Sequence, residues 1–312
     1  MKNKSSYLFI FFTLILVSCN NTPNIQDSML DSGKVSYAIP DSLHKHLVSE
    51  YMSNPTPSQL DTPVIIAAHG YTATTFEWDE LRDFANSKRL FYVSQVLLGG
   101  HGRSYADFKA ANWQDWQSSI KDEYIKLSNL GFKNIYLAGS STGAPLILNL
   151  IKTGFFNDYT IPKGIFLVDP IIVSSNKTLT LVGLLGPVLG YTTVELSQGE
   201  QGRWYVYRPQ ETLKQLMELI NLTRSNLEKG IKLPTGTYMK VYKSQIDEVA
   251  DPISAVLIYK GMKTSAGGFI DVEMVKSKLH VFTRLRGREG VTVDDINLQQ
   301  KTFLDMQARM NP

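Results

Sequence analysis

Asn134-Ile-Tyr-Leu-Ala-Gly139-Ser-Ser141-Thr-Gly143-Ala-Pro-Leu-Ile-Leu148 decides how the rest of this chain is read. A short apolar run enters Gly139-Ser-Ser141-Thr-Gly143, and a second apolar run with helical character leaves it. Strand, tight turn and helix with G-x-S-x-G at the turn force the central residue into a strained backbone and lift its hydroxyl clear of the sheet. Ser141 is the candidate nucleophile. Gly139 and Gly143 belong to the same geometry, because a side chain at either would meet the neighbouring strand or helix.

Working outward, Pro63 to Tyr71 is an apolar strand ending in His69-Gly70-Tyr71, and Leu90 to Leu98 is another, followed by Gly99-Gly-His101-Gly-Arg103-Ser104. Beyond the elbow, Gly164 to Val168 runs into Asp169-Pro170. Unbroken apolar runs of this length mark strands covered on both faces. Between them, Phe76, Trp78, Leu81 and Phe84 share a helical face, and Trp113 to Leu130 is a long amphipathic helix capped by Gly131. Trp113 and Trp116 read as core. Strands alternating with helices imply an α/β fold with a mostly parallel central sheet flanked by helices. The alternation breaks over residues 171–235, which hold two turn-rich stretches and a helix near Glu211 to Leu222, and resumes with Tyr238 to Tyr242, a helix near Ile253 to Gly261, a strand over Phe269 to Val275 and a final helix over Val293 to Met310. The expected division is a core of residues 34–170 and 236–312, with an edge strand over Lys34 to Ile39 and an insertion over 171–235.

The 312 residues are 43% hydrophobic and 20% charged, ample for a large core, and a net charge of +3 without basic runs argues against nucleic acid. The N-terminus stands apart. Lys2 and Lys4 precede the apolar Tyr7 to Val17, and Leu16-Val-Ser-Cys19 follows. This is the layout of a secretory signal over residues 1–18, too short for a membrane span. Leu16-Val-Ser-Cys19 resembles the bacterial lipobox. It implies acylation at Cys19, the chain's one cysteine, and a lipid-anchored place in the cell envelope, at the outer membrane or cell surface. Residues 19–33 are polar and read as the lipidated tether.

A serine hydroxyl needs a base, and the base an orienting acid. The five histidines are His44, His46, His69, His101 and His280. His280 alone lies downstream of Ser141, just past a predicted strand, and is the expected base. The expected acid is Asp247, in Asp247-Glu-Val-Ala-Asp251-Pro252, with Asp169 and Asp251 as alternatives. His69 and His101 read as loop-fixing residues, His44 and His46 as solvated. No closed ligand set suggests a metal, and no cofactor is expected. Arg203-Trp-Tyr-Val-Tyr-Arg208 is aromatic and basic, without an assignable role.

The order Ser, Asp, His is that of the α/β-hydrolase fold. Four segments, His69-Gly70-Tyr71, Gly100-His101-Gly102-Arg103-Ser104, the Ser141 elbow and Asp247 to Pro252, make the chain similar to that superfamily and to its carboxylesterase and monoacylglycerol-lipase branch. Ala144 stands where many members have a second glycine, and Val281-Phe-Thr-Arg is more apolar than usual. The resemblance implies attack of Ser141 on a small-molecule acyl ester, proton transfer to His280 held by Asp247, and an oxyanion site from the backbone amides of Tyr71 and Thr142. It also implies that the insertion is a helical lid, with Leu179 to Leu189 over an acyl pocket. The rivals are a serine peptidase or thioesterase on this scaffold, and a non-catalytic binding lipoprotein. Peptidase relatives commonly carry Trp-Gly-Gly after the serine, where this chain has Thr142-Gly143-Ala144. Oligomeric state is not legible from the sequence.

Overall fold

The computed structural model describes residues 23–35, 46–47, 52–175 and 190–310. The signal peptide, Cys19, His44, most of the Lys34 to Ile39 strand and the apolar Leu179 to Leu189 stretch lie outside the described residues.

The core opens with β1 (His46–Leu47), α1 (Pro57–Asp61) and β2 (Val64–Ala68). Then come α2 (Asp79–Lys88), β3 (Tyr92–Val96), α3 (Tyr105–Ala110), α4 (Trp113–Leu130) and β4 (Ile135–Ser140). α5 (Gly143–Lys152) and β5 (Gly164–Val168) precede the insertion. The insertion holds the hairpin β6 (Tyr191–Thr193) and β7 (Tyr207–Pro209), the helix α6 (Gln210–Glu228) and β8 (Ile231–Lys232). β9 (Tyr238–Ser244), α7 (Ile253–Gly261), β10 (Met262–Lys263), β11 (Asp271–Val275) and α8 (Val293–Met310) close the chain.

Among the described residues the main sheet has seven strands in the order β1-β3-β2-β4-β5-β9-β11. Only β1 runs antiparallel to its neighbour. β2 shows why the apolar runs are unbroken. Val64, Ile66 and Ala68 enter one core cluster, with residues of α4, α5, α6 and α7, while Ile65 and Ala67 enter the other, with α2 and α8. Side chains alternate across a strand, so a strand covered on both faces needs apolar residues at every position. α4 is held at both ends by local chemistry. Asn112 and Asp115 cap each other's amides at 2.9 Å, and Gly131 ends the helix at φ +92°.

One expectation needs correcting. Residues 19–33 were assigned to a tether, yet the described part of that segment is docked. Leu30 is fully buried against Phe108 and Tyr205. The buried Asp31 carboxylate accepts the amides of Val206 and Tyr207 at 2.9 and 3.0 Å, and the Asp31 carbonyl accepts from Tyr105 at 2.8 Å. Within the insertion, α6 packs into the main core while other residues, among them Leu196 and Trp204, line the cavity that holds Ser141. Leu216, Leu219, Ile220 and Leu227 of α6 belong to the larger core cluster, and burying each contributes about 2 kcal/mol. α6 is therefore a core wall. Among the described residues, no helix is long and apolar enough to cross a membrane.

Candidate active site

Ser141 sits at the β4–α5 turn with φ +46°. Its amide donates to the Val168 carbonyl of β5 at 3.1 Å, and its carbonyl accepts from Ile171 at 3.3 Å. The strained backbone is thus clamped from the neighbouring strand. The glycines are required by contact: a Cβ on Gly143 would stand 2.4 Å from the Ala68 carbonyl oxygen, and one on Gly139 would stand 2.8 Å from the Gly143 carbonyl carbon. Thr72, Asp169 and Val281 also adopt positive φ, at +64°, +44° and +52°. Strain is concentrated around this one site, where surrounding packing must hold it.

His280 and Asp247 form a pair, Nδ1 to Oδ2 at 2.9 Å. The other carboxylate oxygen of Asp247 accepts the amides of Val249 and Ala250 at 2.9 and 3.0 Å. Lys243, fully buried on β9, donates to Asp247 at 2.5 Å and to Asp169 at 3.1 Å. Burial alone would raise the Asp247 carboxyl, but the hydrogen bond and charge of His280, together with Lys243, hold it well below the usual carboxylate range. Asp169 is engaged elsewhere, accepting from Ser244 N at 2.7 Å, Ser244 Oγ at 3.1 Å and Phe282 N at 3.2 Å. Asp251 accepts the Ile253 amide at the start of α7, 2.8 Å away. Of the three acids, Asp247 is the one hydrogen-bonded to the imidazole. Asp169, Asp247 and His280 each place one ligand atom within 4.8 Å of the others, and the Lys243 ammonium already supplies a cation between the two carboxylates.

The His280 loop is anchored from both sides. The Leu279 carbonyl accepts from Ser244 Oγ at 2.8 Å, and the His280 carbonyl accepts from Arg288. Val281 and Phe282 are buried in the second core cluster, which explains why the sequence after His280 is apolar: it plugs the loop into the core. Burial pushes the Arg288 guanidinium down to about 10, with neighbouring Arg284 adding to the effect.

Tyr71 and Thr142 line the same cavity as Ser141 and His280. Their loop is fixed by a residue the sequence reading missed. Glu77, buried in a short turn before α2, accepts the Gly70 amide at 2.7 Å and the Ser140 hydroxyl, tying the His69-Gly70-Tyr71 loop to the elbow. His69 accepts the Leu98 amide at Nε2 (3.1 Å), which leaves Nδ1 to donate to the Gly70 carbonyl at 2.8 Å, and burial lowers its affinity for a second proton. His101 is buried among Phe108, Trp116, Tyr205 and His69, and burial, with the neighbouring His69 ring adding to it, sets it well below the ordinary histidine range. Both rings are structural and neutral. Trp113 and Trp116 are core residues. The described backbone of His46 lies in β1.

The cavity encloses about 280 Å³. Ile171, Leu213, Leu216 and Val249 give it apolar walls, and Glu200, Arg208, Arg284 and Arg288 give it charged ones. Arg284 pairs with Glu200 at 2.6 Å and lies over the Trp204 ring. Lys243 was findable only as one of two lysines in β9, the other being Lys240; Glu77 and the arginines carried no signal beyond ordinary charged positions.

No family model matches the chain. Over 220 residues it is 24% identical to the thermostable monoacylglycerol lipase of Bacillus sp. (strain H-257), an alignment covering 70% of this chain and 83% of that protein. A soluble variant of monoglyceride lipase from Saccharomyces cerevisiae, solved with a substrate analog, superposes with a TM-score of 0.66 at 13% identity, over 85% of this chain and 90% of that one. Monoacylglycerol lipase of Paleococcus ferrophilus superposes with a TM-score of 0.60 at 14% identity, over 80% and 96%. A structure from work on two metagenome-derived lipolytic enzymes, LipS and LipT, gives 0.62 at 18% identity, over 80% and 94%. The fold of this chain is the α/β-hydrolase fold.

Proposed function

We propose that this chain is a serine hydrolase of carboxylic esters, similar in activity to the lipases and esterases whose fold it shares. The observation that carries the reading is the His280–Asp247 pair at 2.9 Å beside a cavity whose wall includes Ser141 at φ +46°. Ser141 attacks the ester carbonyl while His280 accepts its proton through Nε2, since Nδ1 faces Asp247. The tetrahedral oxyanion is held by the amides of Tyr71 and Thr142. His280 then delivers the proton to the departing alcohol, leaving an acyl group on Ser141 that water removes by the same steps in reverse. Asp247, acceptor-only at neutral pH, orients the imidazole and offsets the charge of the imidazolium. A cavity of about 280 Å³ suits an acyl chain of modest length. The 24% identity to a monoacylglycerol lipase places lipid esters among the substrates to test. In the cell the enzyme is anchored by acylated Cys19, on the strength of Leu16-Val-Ser-Cys19, and stays on the envelope surface.

The test is hydrolysis of p-nitrophenyl esters of increasing chain length by protein lacking residues 1–19, beside Ser141→Ala. Activity peaking at one chain length and lost in the variant is the expected result. Equal inertness of both, with wild type still labelled at Ser141 by a fluorophosphonate, shifts the assignment to a peptidase or thioesterase. Absence of both turnover and labelling removes the enzymatic reading. Incorporation of labelled palmitate, abolished by Cys19→Ala, tests the anchor.

A further inference from the structure

Arg208 lies on β7, inside the aromatic and basic stretch that the sequence left without a role, and it lines the catalytic cavity. The other two arginines of that wall are engaged: Arg284 with the Glu200 carboxylate at 2.6 Å, Arg288 with the carbonyl oxygens of His280 and Val281. Arg208 differs. Its side chain makes no hydrogen bond and no ion pair with any described residue, and its Nε is shut off from solvent without an acceptor.

The acids near it are spoken for or remote. Glu211, three residues on, faces Lys109 at 3.6 Å through one carboxylate oxygen; its other oxygen is buried without a partner, and it makes no ion pair with Arg208. Glu77 is taken by Gly70 and Ser140, and Glu195 is exposed. The Tyr71 hydroxyl is bonded to Thr212 at 2.6 Å. Around Arg208 the cavity offers Leu213, Leu216 and Ile171. A guanidinium cannot shed its charge at physiological pH, and Arg208, half-buried with Nε shut off, keeps that charge at the cavity wall without a counter-ion among the described residues, which is costly. A planar anion in the cavity would satisfy it, since the five N–H groups of Arg bind one in two parallel hydrogen bonds.

We propose that the preferred ester carries a carboxylate, bound by Arg208 while its carbonyl lies at Ser141. The inference rests on the ester-hydrolase reading and adds to it a substrate class: half-esters and other carboxylate-bearing esters ahead of neutral esters of equal size.

The experiment compares two matched pairs on the same purified protein, each read as kcat/KM. One pair places the charge on the acyl side, p-nitrophenyl hemiglutarate against p-nitrophenyl pentanoate. The other places it on the alcohol side, 4-(butanoyloxy)benzoate against phenyl butanoate. In at least one pair the anionic member is favoured about tenfold or more, as a charge-assisted fork-to-carboxylate contact requires. Arg208→Met abolishes that preference, and Arg208→Lys, which keeps the charge but loses the fork, retains part of it. Should Arg208→Met fail to fold, the reduced preference of Arg208→Lys carries the test. Neutral members turned over as fast as or faster than anionic ones overturn the inference alone, as does a preference that survives in Arg208→Met. Turnover of none of the four fails the ester-hydrolase reading, and the inference with it.

Discussion

Replacing Lys243 with Met removes one buried cation from between two carboxylates, and the pH dependence of turnover is where this will be felt. Lys243 Nζ and His280 Nδ1 bond the same Asp247 oxygen, at 2.5 and 2.9 Å, so the two nitrogens stand no more than about 5.4 Å apart. At an effective dielectric of about 20, two unit charges at that distance interact by about 3 kcal/mol. His280 is one-fifth exposed, and screening by water reduces what is felt there. The sign is definite. Without Lys243, Asp169 and Asp247 both face the ring as uncompensated anions, the imidazolium becomes easier to form, and the acid limb of kcat/KM moves up in pH. Arg288, bonded to the His280 carbonyl, stays in place and caps the shift. Taking the shared cation from two buried carboxylates, which keep only their hydrogen bonds, also destabilises the fold, by about 3 kcal/mol, so the assay belongs at a temperature where the variant is folded by circular dichroism. Adding Asp169→Asn to Lys243→Met restores the local charge and moves the limb back down; Asp169→Asn alone moves it below wild type. A Lys243→Met variant with reduced kcat and an unmoved acid limb refutes the electrostatic account and leaves Lys243 a packing residue.

Three other outcomes follow from the geometry. Glu77→Gln weakens the tie between the Gly70 amide and the Ser140 hydroxyl, and kcat falls about tenfold or more with KM little changed, as the loss of a transition-state alignment requires; a rise in KM alone would contradict it. Gly143→Ala puts a methyl 2.4 Å from the Ala68 carbonyl oxygen, a backbone atom that cannot swing aside, and urea unfolding should show a loss of about 2 kcal/mol or more. Because the folded state holds the Asp247 carboxyl below its usual range, the stability that it contributes is complete above the unfolded value, near pH 4, and is lost as pH falls towards the folded value. Asp247→Asn therefore shows a flatter acid limb of stability than wild type in melts between about pH 4 and pH 2.

What the chain discloses without coordinates depends on how far each residue's partner lies along it. The Ser141 elbow is local: two glycines and the flanking apolar runs specify strand, turn and helix within a dozen residues, and β2 announces burial on both faces by having no polar position. His280 stands out by order, being the one histidine after Ser141. The choice among three aspartates is not local, since it turns on which carboxylate receives the amides of Val249 and Ala250 together with Lys243, and which is tied to Ser244 and Phe282. Asp31 was read as part of a solvated tether because its partners, Val206 and Tyr207, lie some 175 residues downstream. Arg208 was silent for a different reason. An arginine missing its counter-ion is defined by its surroundings, which no pattern along the chain records.

The docking of Leu30 and Asp31 gives the proposed anchor a mechanical meaning. The Asn24 carbonyl already accepts the Tyr207 hydroxyl at 2.7 Å, so only about five residue steps separate Cys19 from the docked segment, a reach of at most about 18 Å. Because Asp31 is fastened to Val206 and Tyr207, the leash ends on the hairpin that also carries Arg208. With the proposed anchor, protein and bilayer would be joined at the wall of the cavity rather than at a distant corner of the domain, and that wall would be held within one protein diameter of the lipid. An ester leaving the membrane would meet the enzyme within that distance, at an effective concentration set by the leash rather than by the volume of the compartment.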